Sequence, residues 1–144
     1  MGLDVNLALK ALRQDRLTLA ISRRGSVIFT SRNRGVLDLY CLMRDNSEIL
    51  KGASAADKVV GKAAAMLYAG SGIKELYAGS LSRAASCVLR EAGVKVQYEN
   101  MIPFVMNRDR SGMCPVERLA TTVDTLDELM EGLSHFYKDL GVCG

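Results

Sequence analysis

The sequence predicts an α/β sandwich over a mixed sheet, and three features carry that expectation. A hairpin comes first: LTLAIS (17–22) and SVIFTS (26–31) are rich in β-branched residues, and Gly25 of the intervening Arg23-Arg24-Gly25 supplies the positive φ of a short loop. Helical and strand-like segments then alternate to the end of the chain. The strongest helical pattern, 55–69, carries a stripe of small apolar residues, Ala56, Val59, Val60, Ala63, Ala64 and Leu67, which lets a helix lie close against a sheet.

The elements follow in order. Residues 5–14 form a short amphipathic helix ahead of the hairpin, and Arg32, Arg34 and Gly35 form a basic loop after it. Leu37, Tyr40, Cys41 and Met43–Arg44 follow the 3.6-residue period of a helix over 36–50, with its end near Asn46–Ser47. Gly52 breaks the chain, Ser54 caps the 55–69 helix, and Gly70-Ser71-Gly72 stops it. A buried strand is expected at 74–79, a helix capped by Ser82 at 83–92, and a strand at 94–102 ended by Pro103. A polar loop (107–113) leads to a short helix opened by Pro115. Thr125-Leu126-Asp127-Glu128 is a capping box that starts a last helix through about 139.

The 144 residues suit one domain, taken as 1–144, long enough to bury a core without disulfide staples. Hydrophobic residues at 49% and charged residues at 24% exclude a disordered chain. A net charge of +3 makes no demand for nucleic acid or an anionic membrane. No apolar run reaches the ~20 residues of a membrane span, and no secretory signal precedes the first helix. The expected location is the cytoplasm, with free thiols. Cys41, Cys87, Cys114 and Cys143 contain no C-x-x-C pair, and His135 is the one histidine. Zinc sites, a Ser-His-Asp triad and a Cys-His pair are therefore poorly supplied, and neither a metal nor a cofactor is expected.

The stretch Gly52-Ala53-Ser54-Ala55-Ala56-Asp57-Lys58-Val59-Val60-Gly61-Lys62-Ala63-Ala64-Ala65 and the later Gly112-Met113-Cys114-Pro115-Val116-Glu117 resemble the two signatures of a small uncharacterised bacterial and archaeal family with a cytidine-deaminase-like fold. The resemblance spans about residues 15–140. It implies a three-layer α/β/α sandwich and a site at helix starts, and the family has no settled activity to carry over. True deaminases place His-Ala-Glu or Cys-Ala-Glu at one helix start and Pro-Cys-x-x-Cys at the next. Ala55-Ala56-Asp57 stands at the first position and Gly79-Ser80-Leu81-Ser82-Arg83 near the second, so the zinc ligands are missing.

The candidate site residues follow. Asp57 is placed at the third position of its helix, as a capping partner of Ser54 or as a carboxylate at a pocket mouth. Lys58 and Lys62 would share one helical edge, solvated or holding an anion. Gly61 in mid-helix suggests a close backbone approach. Ser80, Ser82 and Arg83 join a strand end to a helix start, where free N–H groups can take an anion, or Ser82 simply caps the helix. Cys114 at a helix start has the setting of an activated thiol with Glu117 as acid/base partner, or is a small cap with Glu117 bonded to its N–H. Arg23, Arg24, Arg32 and Arg34 read as a solvated loop or a phosphate contact, with no aromatic platform for nucleic acid.

The expected function is a zinc-less, deaminase-fold domain that binds a small nucleoside-like, nucleotide-like or other anionic ligand. The alternatives are a metal-free enzyme using Cys114 with Asp57 and Glu117, or a homo-oligomeric interaction protein.

Overall fold

The computed structural model describes residues 2–139. Helix α1 (Leu3–Gln14) precedes the hairpin β1 (Leu19–Arg23) and β2 (Ser26–Ser31), whose two-residue turn places Arg24 and Gly25 at φ 53° and 80°. Positive φ at both turn residues is the twist-matched hairpin geometry. Helix α2 (Leu37–Asp45) and a 3₁₀ turn (Ser47–Leu50) lead to β3 (Ser54–Val60). Helix α3 (Lys62–Ser71), β4 (Glu75–Ser82), α4 (Arg83–Glu91) and β5 (Lys95–Ile102) follow, then α5 (Pro115–Ala120) and α6 (Leu126–Asp139). The sheet runs β2-β1-β3-β4-β5; β1 is antiparallel to β2 and β3, while β3, β4 and β5 are parallel. The mixed sheet begun by a hairpin is the expected class.

Helix α1 covers one face alone, burying Val5, Ala8 and Leu12 on Leu17, Ala20, Ala56 and Tyr77. The larger core lies on the other face, where Leu19, Ile21, Leu76 and Leu81 of the sheet meet Tyr40, Leu67, Tyr68, Leu89 and Leu133 of the helices. The start of α1 is tied down twice. Glu75 of β4 accepts from the Gly2 N–H at 3.2 Å, and Asp4 accepts from the N–H groups of Arg24 and Gly25 at 3.1 and 2.8 Å.

The main correction concerns residues 54–60. They form a strand where the alanine stripe predicts a helix. Asp57 is therefore no helix-capping partner of Ser54, and Lys58 and Lys62 share no helical edge. The helix starts at Lys62, with Gly61 extended ahead of it (φ −99°, ψ −173°) instead of mid-helix. The physical reason is position: β3 lies between β1 and β4 with α1 over one face and α3 over the other, and Ala55 and Ala56 are both fully buried. A strand crowded on both faces needs small side chains, so tertiary packing overrides alanine's helical preference.

Gly79 shows how tight the sheet is. A Cβ there would sit 2.6 Å from the Lys58 carbonyl oxygen, a backbone atom that cannot swing away. Gly79→Ala is therefore expected to lower stability by about 2 kcal/mol, roughly 5 °C in Tm, by forcing β3 and β4 apart. Thermal unfolding followed by circular dichroism checks this, and an unchanged Tm contradicts the close approach.

Candidate functional site

Parallel strands β3 and β4 end where α3 and α4 begin, so this rim collects most of the residues singled out in the sequence. The start of α3 is already occupied. Glu117, from α5, accepts from the Lys62 N–H at 2.6 Å and from the Ala63 N–H at 3.0 Å. Its side chain is buried, and burial pushes its carboxyl upward while the two N–H groups pull it back. Gly61 makes room for it: a Cβ there would overlap Glu117 Oε1 and meet Val105 Cγ2 at 2.8 Å. Glu117 does not bond the Cys114 N–H, which donates to the Val105 carbonyl at 2.9 Å.

At the start of α4, Ser82 is buried and its Oγ accepts from the Ala85 N–H at 3.1 Å, as the capping reading expects. Ser80 is half-buried and stands in register between Val59 and Asn100. Lys58 and Arg83 are exposed at this rim. Lys62 leans back, its Nζ donating to the Val123 carbonyl at 3.4 Å. Ser54 lies apart from them, buried at the opposite end of β3 beside Ser22 and Glu75.

Asp57 sits one strand-length step back from the rim. It lies on β3 between Leu19 and Ala78, and its carboxyl is half-buried. Oδ2 accepts from the Tyr68 hydroxyl of α3 at 2.7 Å and Oδ1 from the Val59 N–H at 3.3 Å. Burial pushes the Asp57 carboxyl up to about 7, against the pull of Tyr68 and the Val59 and Lys58 N–H groups. Burial, reinforced by the Asp57 charge, raises the Tyr68 hydroxyl well above its ordinary range. A carboxyl titrating near neutrality can donate or accept a hydrogen bond, and it can move a proton.

Cys114 is a free, half-buried thiol ahead of α5, and its side chain makes no cap bond. Close to it is Tyr137 of α6, whose hydroxyl is pushed up to about 12 by burial first and then by the thiol, while the Val36 N–H donates to it. Both Glu117 oxygens point into α3, so the expected Cys114–Glu117 partnership is not formed. Nor are all cysteines free: Cys87 and Cys114 are, whereas Cys41 is disulfide-bonded. Cys143 lies outside the described residues. Among the described residues no group of three or more His, Cys, Asp or Glu side chains could hold a metal ion. The start of α3 offers Gly61, Lys62 and Ala63, none of them a metal-ligating side chain of the His, Cys, Asp or Glu type.

The basic loop is structural in part. Arg23 donates to the Glu48 carbonyl at 2.9 Å and Arg32 to the Asp15 carbonyl at 3.1 Å. Ser31 donates to Asp38 and accepts from the Asn33 N–H, closing the loop between β2 and α2. Two open grooves mark the helical layer, one beside Lys62, Met66 and Asp124 and one beside Met113, Leu119 and Phe136; Asp57 lines neither. Sequence reasoning missed Tyr68 and Val105. Tyr68 lies within the helix expected at 55–69 but outside its apolar stripe, and carries no local sign of facing a carboxylate.

Residues 7–137 match a domain of unknown function, DUF1893. The structure is similar to that of a DUF1893 family protein from Thermotoga maritima, with a TM-score of 0.83, 30% identity, and coverage of 92% of this chain and 88% of that one. A tRNA:A34 deaminase structure is a distant likeness, with a TM-score of 0.43 and 17% identity over 69% of this chain and 88% of that one. No curated protein matches the sequence. No helix among the described residues is long and apolar enough to cross a membrane.

Two outcomes follow from this geometry. Glu117→Ala strands the buried Ala63 N–H and the part-buried Lys62 N–H and is expected to cost about 1–3 kcal/mol in denaturant unfolding. Asp57 sets a pH slope. Its folded pKa of about 7 lies above an unfolded value near 3.8. Its stabilising protonation is complete below the unfolded value, fades as pH rises, and is gone once pH passes about 7. Across that window Asp57 should make wild-type stability fall more steeply with rising pH than that of Asp57→Asn.

Proposed function

The chain belongs to the DUF1893 family, and from that premise we propose that it is a small-ligand-binding domain in which Asp57 reads the amide-like edge of a nucleobase or similar heterocycle. One observation carries the proposal: a half-buried carboxyl titrating near neutral pH, with one oxygen fixed by Tyr68. A carboxyl in that state presents a donor beside an acceptor, the complement of an adjacent N–H and C=O pair. Exposed Lys58 and Val59 mark the approach to it. A buried carboxylate that satisfies a helix start would be an odd choice where phosphate must bind, so Glu117 at α3 moves the anion contact to Arg83 and Lys58. The fold is deaminase-like in this reading, and among the described residues no cluster of His, Cys, Asp and Glu is gathered for a metal ion. The alternative, a metal-free enzyme with Cys114 as nucleophile, has lost Glu117 to the cap of α3.

Titration of labelled protein with adenosine, cytidine and their monophosphates, followed by amide chemical shifts, tests the proposal. Shifts should centre on Asp57, Val59 and Tyr68. Asp57→Asn should weaken binding about tenfold or more, in keeping with loss of a charge-assisted or paired hydrogen bond. Arg83→Ala should weaken only the monophosphates. Shifts confined to other surfaces, full binding by Asp57→Asn, or no response to millimolar nucleoside would overturn it.

A further inference from the structure

The β5 strand ends the sheet, and among the described residues no strand pairs with its outer side. Its stretch Gln97–Met101 is exposed throughout, with Tyr98 and Met101 at 45% and 39% of full exposure. Edge strands are normally blunted by proline, bulges, shortness or charged side chains, and of these β5 carries only the charges of Lys95 and Glu99. The opposite edge, β2, has such a device: its pairing with β1 is bulged at Ile21/Ser22. The eight residues of β5 contain no proline or glycine, and their register with β4 runs on from Lys95 to Ile102 without a slip.

The sequence of this edge is complementary to itself when reversed. Set antiparallel to a copy about Gln97, Lys95 comes opposite Glu99, Val96 opposite Tyr98, and Gln97 opposite Gln97. Each is a favourable cross-strand pair: opposite charges, a β-branched residue on an aromatic ring, and two side-chain amides. The charge pairing occurs twice by symmetry. Glu99 is already oriented, accepting from Arg13 at 2.9 Å, and its carboxyl is held below the usual range by the Tyr77 hydroxyl and by Arg13. A lysine arriving from a second copy would join that pair. Shifting the axis by one residue, to Tyr98, sets Glu99 against Gln97 and loses both charge pairs.

We infer that β5 is a homodimer edge: two copies join their β5 strands antiparallel about a two-fold axis at Gln97, with Lys95 paired to Glu99 of the partner subunit, to make one continuous sheet. The inference uses none of the residues invoked in ligand binding, so the two stand or fall separately.

Light scattering across a concentration series, with circular dichroism to confirm folding, tests it. Wild type should be dimeric. Lys95→Glu sets like charges opposite each other twice and should raise the dimer dissociation constant about tenfold or more. Adding Glu99→Lys to it restores opposite charges and should restore the dimer. In a Cys87→Ser background, Gln97→Cys should cross-link to itself under mild oxidation, because directly opposed residues fall within disulfide reach. Val96→Cys, whose copies lie two residues apart in register, should not. A monomer at every concentration, or a dimer indifferent to Lys95→Glu whose Gln97→Cys form does not cross-link, overturns the inference.

Discussion

The crowding of β3 governs much of this molecule. It is the middle strand of five, antiparallel to one neighbour and parallel to the other, and helices press on both of its faces. Bulk is excluded, which accounts for Ala55 and Ala56. The next strand must come equally close, which accounts for Gly79 against the Lys58 carbonyl. Close packing then desolvates the polar groups the strand carries, and Asp57 is the ionisable one among them at the half-buried position. Its raised pKa follows from where alanine allows α3 to lie, with Tyr68 and the Val59 N–H giving back only part of the lost hydration.

Two helix starts in this fold are satisfied from a distance. The first turn of α1 meets Glu75 and that of α3 meets Glu117, carboxylates 73 and 55 residues away from the N–H groups they accept from. Ser82, by contrast, caps α4 from its own first turn. Long-range carboxylate caps do two things at once. They neutralise the positive end of a helix, and they pin a separate element to it, so that α5 is anchored on α3 through Glu117. Gly61 belongs to the same device, since any side chain there would displace the carboxylate or Val105.

This division explains what the sequence made legible. The hairpin turn, the Ser82 cap and the Thr125–Glu128 box are local signals within a few residues. All three appear in the structure, the last with Thr125 and Glu128 exchanging hydrogen bonds at 3.1 and 3.2 Å. The strand at 54–60 was not legible. Its alanines have the same composition as a helix packed on a sheet, and only burial on both sides tells the two apart. That error carried Asp57, Lys58 and Gly61 to wrong places together. The partners of Asp57 and Glu117 were hidden for the same reason: Tyr68 and the α3 N–H groups meet them through topology, at separations that no periodicity encodes.

Asp57 is the feature that packing alone does not justify. The strand around it is built of alanine and valine, and a small apolar residue would sit between Leu19 and Ala78 without any desolvation penalty. Holding a carboxyl there with its pKa near 7 costs the folded state on the order of a few kcal/mol at neutral pH. Glu117, itself pushed up by burial, recovers part of that cost through two backbone N–H groups that would otherwise lack this partner. Asp57 recovers less, because the Tyr68 hydroxyl is neutral and the Val59 bond is long at 3.3 Å. A group held at a net cost, partly open to solvent and poised between donor and acceptor, is where a ligand's hydrogen bond would contribute most. Both carboxyls are raised by burial, and the larger upward push on Asp57, which the fold offsets less, sets it apart from Glu117 as the functional candidate.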